Sequence, residues 1–305
     1  TKEVGALESW LDDKGGLLSW KLDGLTIVLT YQDGKLAKAV TRGDGITGEV
    51  ITSNARVFDN IPLQIPRKEE LVIRGEAVIT YADFEEINRT IGDADAKYKN
   101  PRNLCSGTVR QLNNEITARR HVKFYAFSLA AGGDDCETRQ EQLELLKKQG
   151  FETVEYVKVT RETIADAVAD FEQKIADFPV PSDGLVLIYD DIAYGRSLGS
   201  TSKFPRDSIA FKWMDEQKET ILQDVLWNVS RTGLINPIAV FEPVELEGTT
   251  VSRASVHNLS IVRELALGTD DTIKVYKANM IIPQIAENLT RSGSIRPPEH
   301  CPVCG

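Results

Sequence analysis

The sequence predicts an α+β fold in two parts: antiparallel sheets with flanking helices over residues 1–217, then a small β-barrel over residues 218–297. Three observations carry this expectation. At 305 residues the chain is long enough for two domains and a sizeable core. Up to about Lys218, short runs of period-two hydrophobic alternation are interleaved with segments of helical period. From there to about Thr290 helical periodicity all but vanishes, and runs of Val, Ile and Thr alternate with turns around a single helical pattern, SIVRELALG. A handful of short strands with one helix in roughly 75 residues suits a small barrel of the OB type.

The elements follow in order. Residues 1–13 read as one amphipathic helix, with Val4, Leu7 and Leu11 at helical spacing and Gly15-Gly16 ending it. Leu17 to Tyr31 reads as a strand, YQDGKL as a turn and Leu36 to Arg42 as the returning strand. RGDGITGE is a glycine-rich loop leading into a predicted helix from Val50 to Val57. Glu70 to Thr80 is strand-like, and TYADFEEINRTI is a helix with Thr80 or Asp83 as its cap. NPRNLCSGTVRQL is a loop entering a helix, and VKFYAFSLA is a strand. Two helical segments follow, the first closed by Gly150, and then the strands PSDGLVLIYDD and DSIAFKWMD. Residues 298–305 carry a Cys-Pro-Val-Cys-Gly knuckle, whose two cysteines have the spacing of half a zinc site.

Composition narrows the function. Hydrophobic content of 41% and charged content of 27% describe an ordinary globular protein rather than a disordered one. No apolar run reaches the length of a membrane span, no secretory signal opens the chain, and four cysteines give no disulfide framework. A reducing cytoplasm fits, and no membrane partner is expected. The net charge of −10 argues against a nucleic-acid partner, because phosphate contacts need Lys and Arg. That objection is softened by the near balance of charge in the barrel segment and by the ability of an acidic protein to carry a local basic groove.

Several charged residues lie inside or beside strand patterns: Lys21, Asp23, Arg42, Glu76, Asp183 and Lys212. A charge taken out of water is costly unless paired, so mixed charges at strand ends point to a polar cleft. Cations there suit a phosphate and carboxylates suit a metal ion. By itself Lys21, between Trp20 and Leu22, reads either as a lysine snorkelling over apolar neighbours or as a nucleophile held in a cleft.

The ordered set KLDG, RGDG, RGE, NPRN…RQL, SDGLV and FKW, followed by SRTGLINPIAVFEPVELEGTTVSRASVHN, resembles bacterial NAD-dependent DNA ligases along essentially the whole chain. The resemblance implies a nucleotidyltransferase (adenylation) domain, an OB-fold domain, NAD as AMP donor, Mg²⁺, nicked duplex DNA as partner, a monomer, and a nucleoid-associated cytoplasmic enzyme. Lys21 matches the nucleophile that attacks the α-phosphorus of NAD and expels nicotinamide mononucleotide. Desolvation and a nearby cation such as Lys212 are expected to favour its neutral form. Asp23 matches the aspartate that orients the lysine, and Gly24 keeps the backbone compact beside the nucleotide. Arg42 matches a ribose and phosphate contact, and Glu76 a carboxylate on the ribose and metal side. Phe127 matches the aromatic that stacks on adenine, Asp183 a carboxylate near Mg²⁺, and Lys212 the lysine on the α-phosphate. Arg102 and Arg110 match contacts to the 5′-phosphate of the nick, and Arg231 an OB-domain contact to the DNA backbone. Cys301 and Cys304 match half of a four-cysteine zinc site, so Zn²⁺ is expected only in a longer protein.

Three positions depart from the family. Ser19 stands where a glutamate is usual and Ile188 where a lysine is usual, both at the adenine edge. Their joint loss predicts a less polar adenine pocket, read by backbone groups and by stacking on Phe127. The family's AGDVIP reads ANMIIP here, from Ala278 to Pro283. Nothing matches the helical domain that grips nicotinamide mononucleotide in this family, nor its helix-hairpin-helix and BRCT-like parts. The chain is therefore expected to behave as a core fragment that reacts poorly with NAD yet seals a nick already carrying 5′-AMP. The rival readings are an ATP-dependent polynucleotide ligase or capping-type nucleotidyltransferase, and a DNA-binding relic without catalysis.

Overall fold

The structure, a computed structural model, describes the chain except residues 44–46, 93–96, 202–204, 214–215, 247–248 and 279–281. Parts of the RGDGITGE loop and of the ANMIIP departure therefore lie outside the described residues. The chain divides into two compact units, Thr1–Lys212 and Trp213–Gly305, with the boundary before the predicted one at residue 217.

The first unit runs α1 (Val4–Leu11), β1 (Gly16–Leu22), β2 (Leu25–Gln32), β3 (Lys35–Thr41), α2 (Thr52–Ala55), β4 (Leu71–Val78), α3 (Tyr81–Thr90), α4 (Pro101–Val109), α5 (Asn114–Ala118), β5 (Lys123–Ala131), α6 (Arg139–Lys148), β6 (Tyr156–Val159), α7 (Ile164–Lys174), β7 (Ser182–Tyr189), α8 (Ile192–Ser197) and β8 (Ser208–Phe211). Its strands form two antiparallel sheets, ordered β6-β1-β7-β8 and β3-β2-β4-β5. Ile27, Leu29, Tyr31, Ile73 and Phe124 on the second sheet pack with Leu104 of α4 and Leu146 of α6 into one buried core. Helix starts follow the sequence signals. Thr80 Oγ1 accepts from Asp83 N at 3.2 Å, Asn100 caps α4 ahead of Pro101, and Thr138 and Glu141 form a capping box on α6.

Three expectations change. The predicted strand Leu17–Tyr31 is two strands in different sheets, parted at Asp23-Gly24. A side chain at Gly24 would bring its Cβ within 2.0 Å of the Ala77 carbonyl oxygen, so only glycine lets the chain cross β4 there. The close approach expected of Gly24 is thus made to the protein's own backbone. The helix Val50–Val57 shortens to the single turn α2, because Ile51 N donates to Ala39 O at 2.9 Å and Thr52 Oγ1 accepts from Ala39 N at 3.0 Å, tying the segment to β3. Strand β6 has no clean alternation to announce it, since Val159 is its one buried residue.

The second unit runs β9 (Lys218–Val229), β10 (Ile235–Leu246), β11 (Thr249–Ser255), α9 (Leu259–Glu264), β12 (Thr272–Ala278) and β13 (Ile282–Asn288). Its strands close into a barrel in the order β10-β11-β13-β12-β9, which leaves no open sheet edge. Leu222, Val225, Phe241, Val262, Ile273 and Val275 fill it. Buried Asp271 knots the loops at one end, accepting from Asn288 Nδ2 at 2.7 Å, Thr290 Oγ1 at 2.8 Å and Ser292 N at 3.1 Å. Burial pushes its carboxyl up, but these bonds prevail and hold it below its ordinary value. This contribution is present at neutral pH and is lost as acid protonates the folded form. Asp271→Ala leaves the Ser292 N–H without its acceptor and removes the bonds from Asn288 Nδ2 and Thr290 Oγ1, and is expected to destabilise this unit by about 2–3 kcal/mol, read by urea unfolding.

Candidate active site

Three strand ends build the site. In the sheet β6-β1-β7-β8, Lys21 lies near the end of β1, Asp183 near the start of β7, and Lys212 directly after β8. Antiparallel pairing brings these ends together. The β1–β7 register shifts between Trp20 and Leu22, which turns Asp183 to the same side as Lys21. Gly184 makes the irregularity possible: its φ is +143°, and a Cβ there would meet Phe211 O at 2.1 Å. Ser182 Oγ donates to Lys21 O at 2.9 Å. Trp20 anchors the opposite face, stacked on Phe178 with ring centroids 4.3 Å apart, while its Nε1 donates to Glu155 at 2.9 Å.

Asp183 is the hub. Its Oδ1 lies 2.6 Å from Lys21 Nζ and its Oδ2 lies 3.0 Å from Lys212 Nζ. The carboxylate side chain is 12% exposed and the two lysines about a third, so the group is shielded yet open to a ligand. A carboxylate, rather than a bare cation, therefore separates Lys21 from Lys212. Asp23 was expected to orient Lys21; instead its Oδ1 accepts from Arg102 Nη1 at 2.7 Å, and Asp183 makes the lysine contact.

Glu76 stands beside the Asp23–Arg102 pair. Its two oxygens accept from Gly24 N at 3.2 Å and Thr26 Oγ1 at 2.9 Å. Burial outweighs these bonds and Arg102, and pushes its carboxyl up to about 7, with Asp23 adding to the rise. Between the ordinary value of 4.5 and about 7, the folded chain keeps a proton that the unfolded chain has released, so stability falls as pH rises through that window. Glu76→Gln removes the titration. It is expected to stabilise the first unit by about 2–3 kcal/mol at pH 8 and by little at pH 4, measured by thermal unfolding at both.

Among the described residues no three His, Cys, Asp or Glu side chains gather as a cage. Mg²⁺ keeps several waters and takes one or two carboxylates together with substrate phosphates, so Asp183 and Glu76 fit it as partners of a bound phosphate. Cys301 and Cys304 are both free thiols. Backbone N–H groups of Val303 and Cys304 hold the Cys301 thiol below its ordinary value, but the pair is two ligands short of a tetrahedral zinc set.

The remaining expected residues divide. Ser19, Phe127 and Ile188 line one recess, about 20 Å³ in volume, between the two sheets and α6. Phe127 is half-exposed on β5, Ile188 pairs with Leu17 in register, and Ser19 pairs with Val186. Arg139 and Gln142 of α6, which the expectation of a less polar pocket did not include, also line the recess. Sequence reading missed Gln142, a polar residue on a helix face whose other buried positions are Leu143 and Leu146. That misfit on the apolar stripe was the available signal. Arg42 is exposed after β3, its backbone N bonded to Thr26 O at 3.0 Å. Arg110, at the C-terminus of α4, is paired with Glu49 and Ser106. Arg231 is exposed in the turn between β9 and β10, which Ser230 N closes on Leu234 O at 2.8 Å.

Comparison with known proteins identifies both units. The model of the NAD-dependent DNA ligase adenylation domain matches residues 12–216, and that of the NAD-dependent DNA ligase OB-fold domain matches residues 219–295. DNA ligases of Lachnoclostridium phytofermentans and Ruminiclostridium cellulolyticum are each 64% identical over the whole chain, which covers 47% of their length. The DNA ligase of Halothermothrix orenii is 36% identical over 93% of the chain and 44% of its own. The chain thus spans about half the length of the relatives it matches. Among solved structures, one titled "DNA binding with a minimal scaffold: Structure-function analysis of Lig E DNA ligases" has a TM-score of 0.50 at 15% identity, covering 90% of this chain and 92% of its own. Another, titled "Pmar-Lig_Pre.", has a TM-score of 0.51 at 12% identity, covering 89% and 60%. These two likenesses concern the fold alone. With both of its units matched in order by the two domain models, the chain belongs to the NAD-dependent DNA ligase family.

Proposed function

We propose that this chain is the adenylating and sealing core of a DNA ligase that takes AMP from NAD and joins nicks in duplex DNA. The observation that carries the reading is the pair of lysines held on the two oxygens of one carboxylate, Asp183, at open strand ends. In this reading Lys21 Nζ attacks the α-phosphorus of NAD, the bond to nicotinamide mononucleotide breaks, and a lysyl-AMP forms. Attack needs a neutral amine, and Asp183 Oδ1, 2.6 Å away, is within reach of the proton that must leave. Lys212 stands on the other side of Asp183, placed to meet charge developing on the phosphate. A 5′-phosphate then takes the AMP from Lys21, and a 3′-hydroxyl displaces it to seal the strand.

Asp183 and Glu76 are the carboxylates that would hold Mg²⁺, which when bound neutralises phosphate charge. Phe127 offers a face for the base, and Arg42 a cation for the sugar-phosphate. Arg102 and Arg110, both partly exposed at opposite ends of α4, and Arg231 in the second unit are the proposed contacts to DNA phosphates. Their ion pairs with Asp23 and Glu49 would be exchanged for phosphate on binding. The fold proposed to act here is a monomer.

Two assays on the purified chain test the reading. Intact-mass spectrometry after incubation with NAD and Mg²⁺ is expected to show only a slow gain of one AMP. A nicked duplex that already carries 5′-AMP is expected to be sealed. Failure of both would leave a DNA-binding relic.

A further inference from the structure

The recess beside Phe127 holds an unusual collection of unused donors. Gln142 is only 3% exposed, and its Oε1 accepts a long bond of 3.4 Å from Arg139 Nη1. Its Nε2 has no hydrogen-bond partner among the described residues. The amide orientation is set by Arg139, since the reverse would face N–H against N–H. Arg139 is itself fixed, with Nη2 2.9 Å from Asp207 Oδ2, and its buried Nε has no partner either. Ser19 Oγ makes only a 3.5 Å contact to Val186 O. Arg139 Nε is too deeply buried to meet a ligand, but Gln142 Nε2 and Ser19 Oγ line the recess and offer donors to an acceptor that arrives from outside.

The place of the recess identifies that acceptor. Ser19 and Lys21 lie two residues apart on β1 and point to one face, on the order of 7 Å apart along the strand. This inference rests on the proposed nucleotide site at Lys21. With the phosphate at Lys21 and the base against Phe127, the edge of a purine farthest from its sugar turns toward the recess. That edge carries N1. At about 20 Å³ the recess takes the rim of a base, not a whole ring. Adenine presents an unprotonated N1 there, an acceptor. A 6-oxopurine presents an N1–H, which meets the donors of Gln142 and Arg139 head-on.

We propose that Gln142 is a specificity-determining residue of this nucleotide site, and that with Arg139 and Ser19 it selects adenine by donating to its ring nitrogen rather than by reading its exocyclic amine. The chemistry fits a side-chain amide, which is well suited to an adenine edge, and an unpaired buried donor is what makes the wrong base costly.

The test measures binding of three 5′-monophosphates to the chain by calorimetry: AMP, IMP, and purine riboside monophosphate, which lacks the 6-amino group. AMP and purine riboside monophosphate are expected to bind within about threefold of each other, and IMP at least tenfold more weakly. Gln142→Leu is expected to cut the AMP/IMP ratio below threefold; it adds an apolar residue to the buried stripe of α6 and should fold. Gln142→Met serves as the second variant, with thermal unfolding as the folding control. Equal binding of AMP and IMP by the unmodified chain overturns the inference, as does an unchanged ratio in both folded variants. Absence of any AMP binding would instead overturn the nucleotide site itself.

Discussion

Lys21→Ala is expected to abolish the AMP adduct, with adenylation falling by at least about a thousandfold, while sealing of a pre-adenylated nick falls by no more than about tenfold. The split follows from the geometry. In the proposed mechanism Lys21 Nζ is the nucleophile only in the step that forms lysyl-AMP, and sealing asks the site merely to hold an AMP that is already on DNA. Removing the side chain also frees Asp183 from one of its two ion pairs, but Lys212, 3.0 Å from its other oxygen, remains to balance the charge. The fold should therefore survive. Intact-mass spectrometry and gel-based sealing read the two steps separately. An adduct that persisted in the variant would mean that a different residue carries the AMP.

Asp183→Asn is expected to slow adenylation by about 100-fold without weakening AMP binding. Asp183 orients both lysines through contacts of 2.6 and 3.0 Å, and a shift on the order of 1 Å in a reacting group costs about that factor. The charge effect runs the other way for binding. Loss of the carboxylate leaves two ammonium groups facing an incoming phosphate with no competing anion, so nucleotide affinity should hold or rise. Single-turnover adduct formation and calorimetric AMP binding measure the two quantities. A parallel drop in both would reduce Asp183 to a structural strut and remove it from the chemistry.

The parts of the site that the sequence made legible are those where a charge interrupts a strand pattern. Lys21, Asp183 and Lys212 stood out because an ammonium or carboxylate inside an alternating run needs a partner. Their partnership did not stand out, because it depends on the irregular pairing at Gly184 and on which strand ends lie side by side. Asp23 was expected to orient the lysine because it matches the motif aspartate of the family that the chain resembles. The break at Gly24 turns the chain into another sheet and delivers Asp23 to Arg102 instead. Likewise Val50–Val57 has a helical look, but bonds to Ala39 hold that segment on the edge of β3. Gln142 escaped notice because a glutamine on an amphipathic helix is ordinarily a surface residue, and only the packed structure places it against Ser19 and Phe127. The barrel was readable because its runs are short and regular and its turns are marked. What fixes its end, the knot on Asp271, joins Asn288, Thr290 and Ser292 through three dimensions and leaves no local signature.

The hub on Asp183 has a consequence for the life of the chain before it works. Lys21 and Asp183 are 162 positions apart in sequence, and Lys212 follows later still. The first strand of the unit must wait for nearly the last before the two lysines share their carboxylate. During synthesis β1 emerges with its lysine long before β7 and β8 exist, so the emerging chain lacks the carboxylate and the second lysine that the proposed mechanism uses. Such distant pairings also slow folding, because a long loop has to close before the contact rewards it. On the proposed mechanism, acquisition of the AMP adduct during refolding therefore marks the closing of the sheet β6-β1-β7-β8.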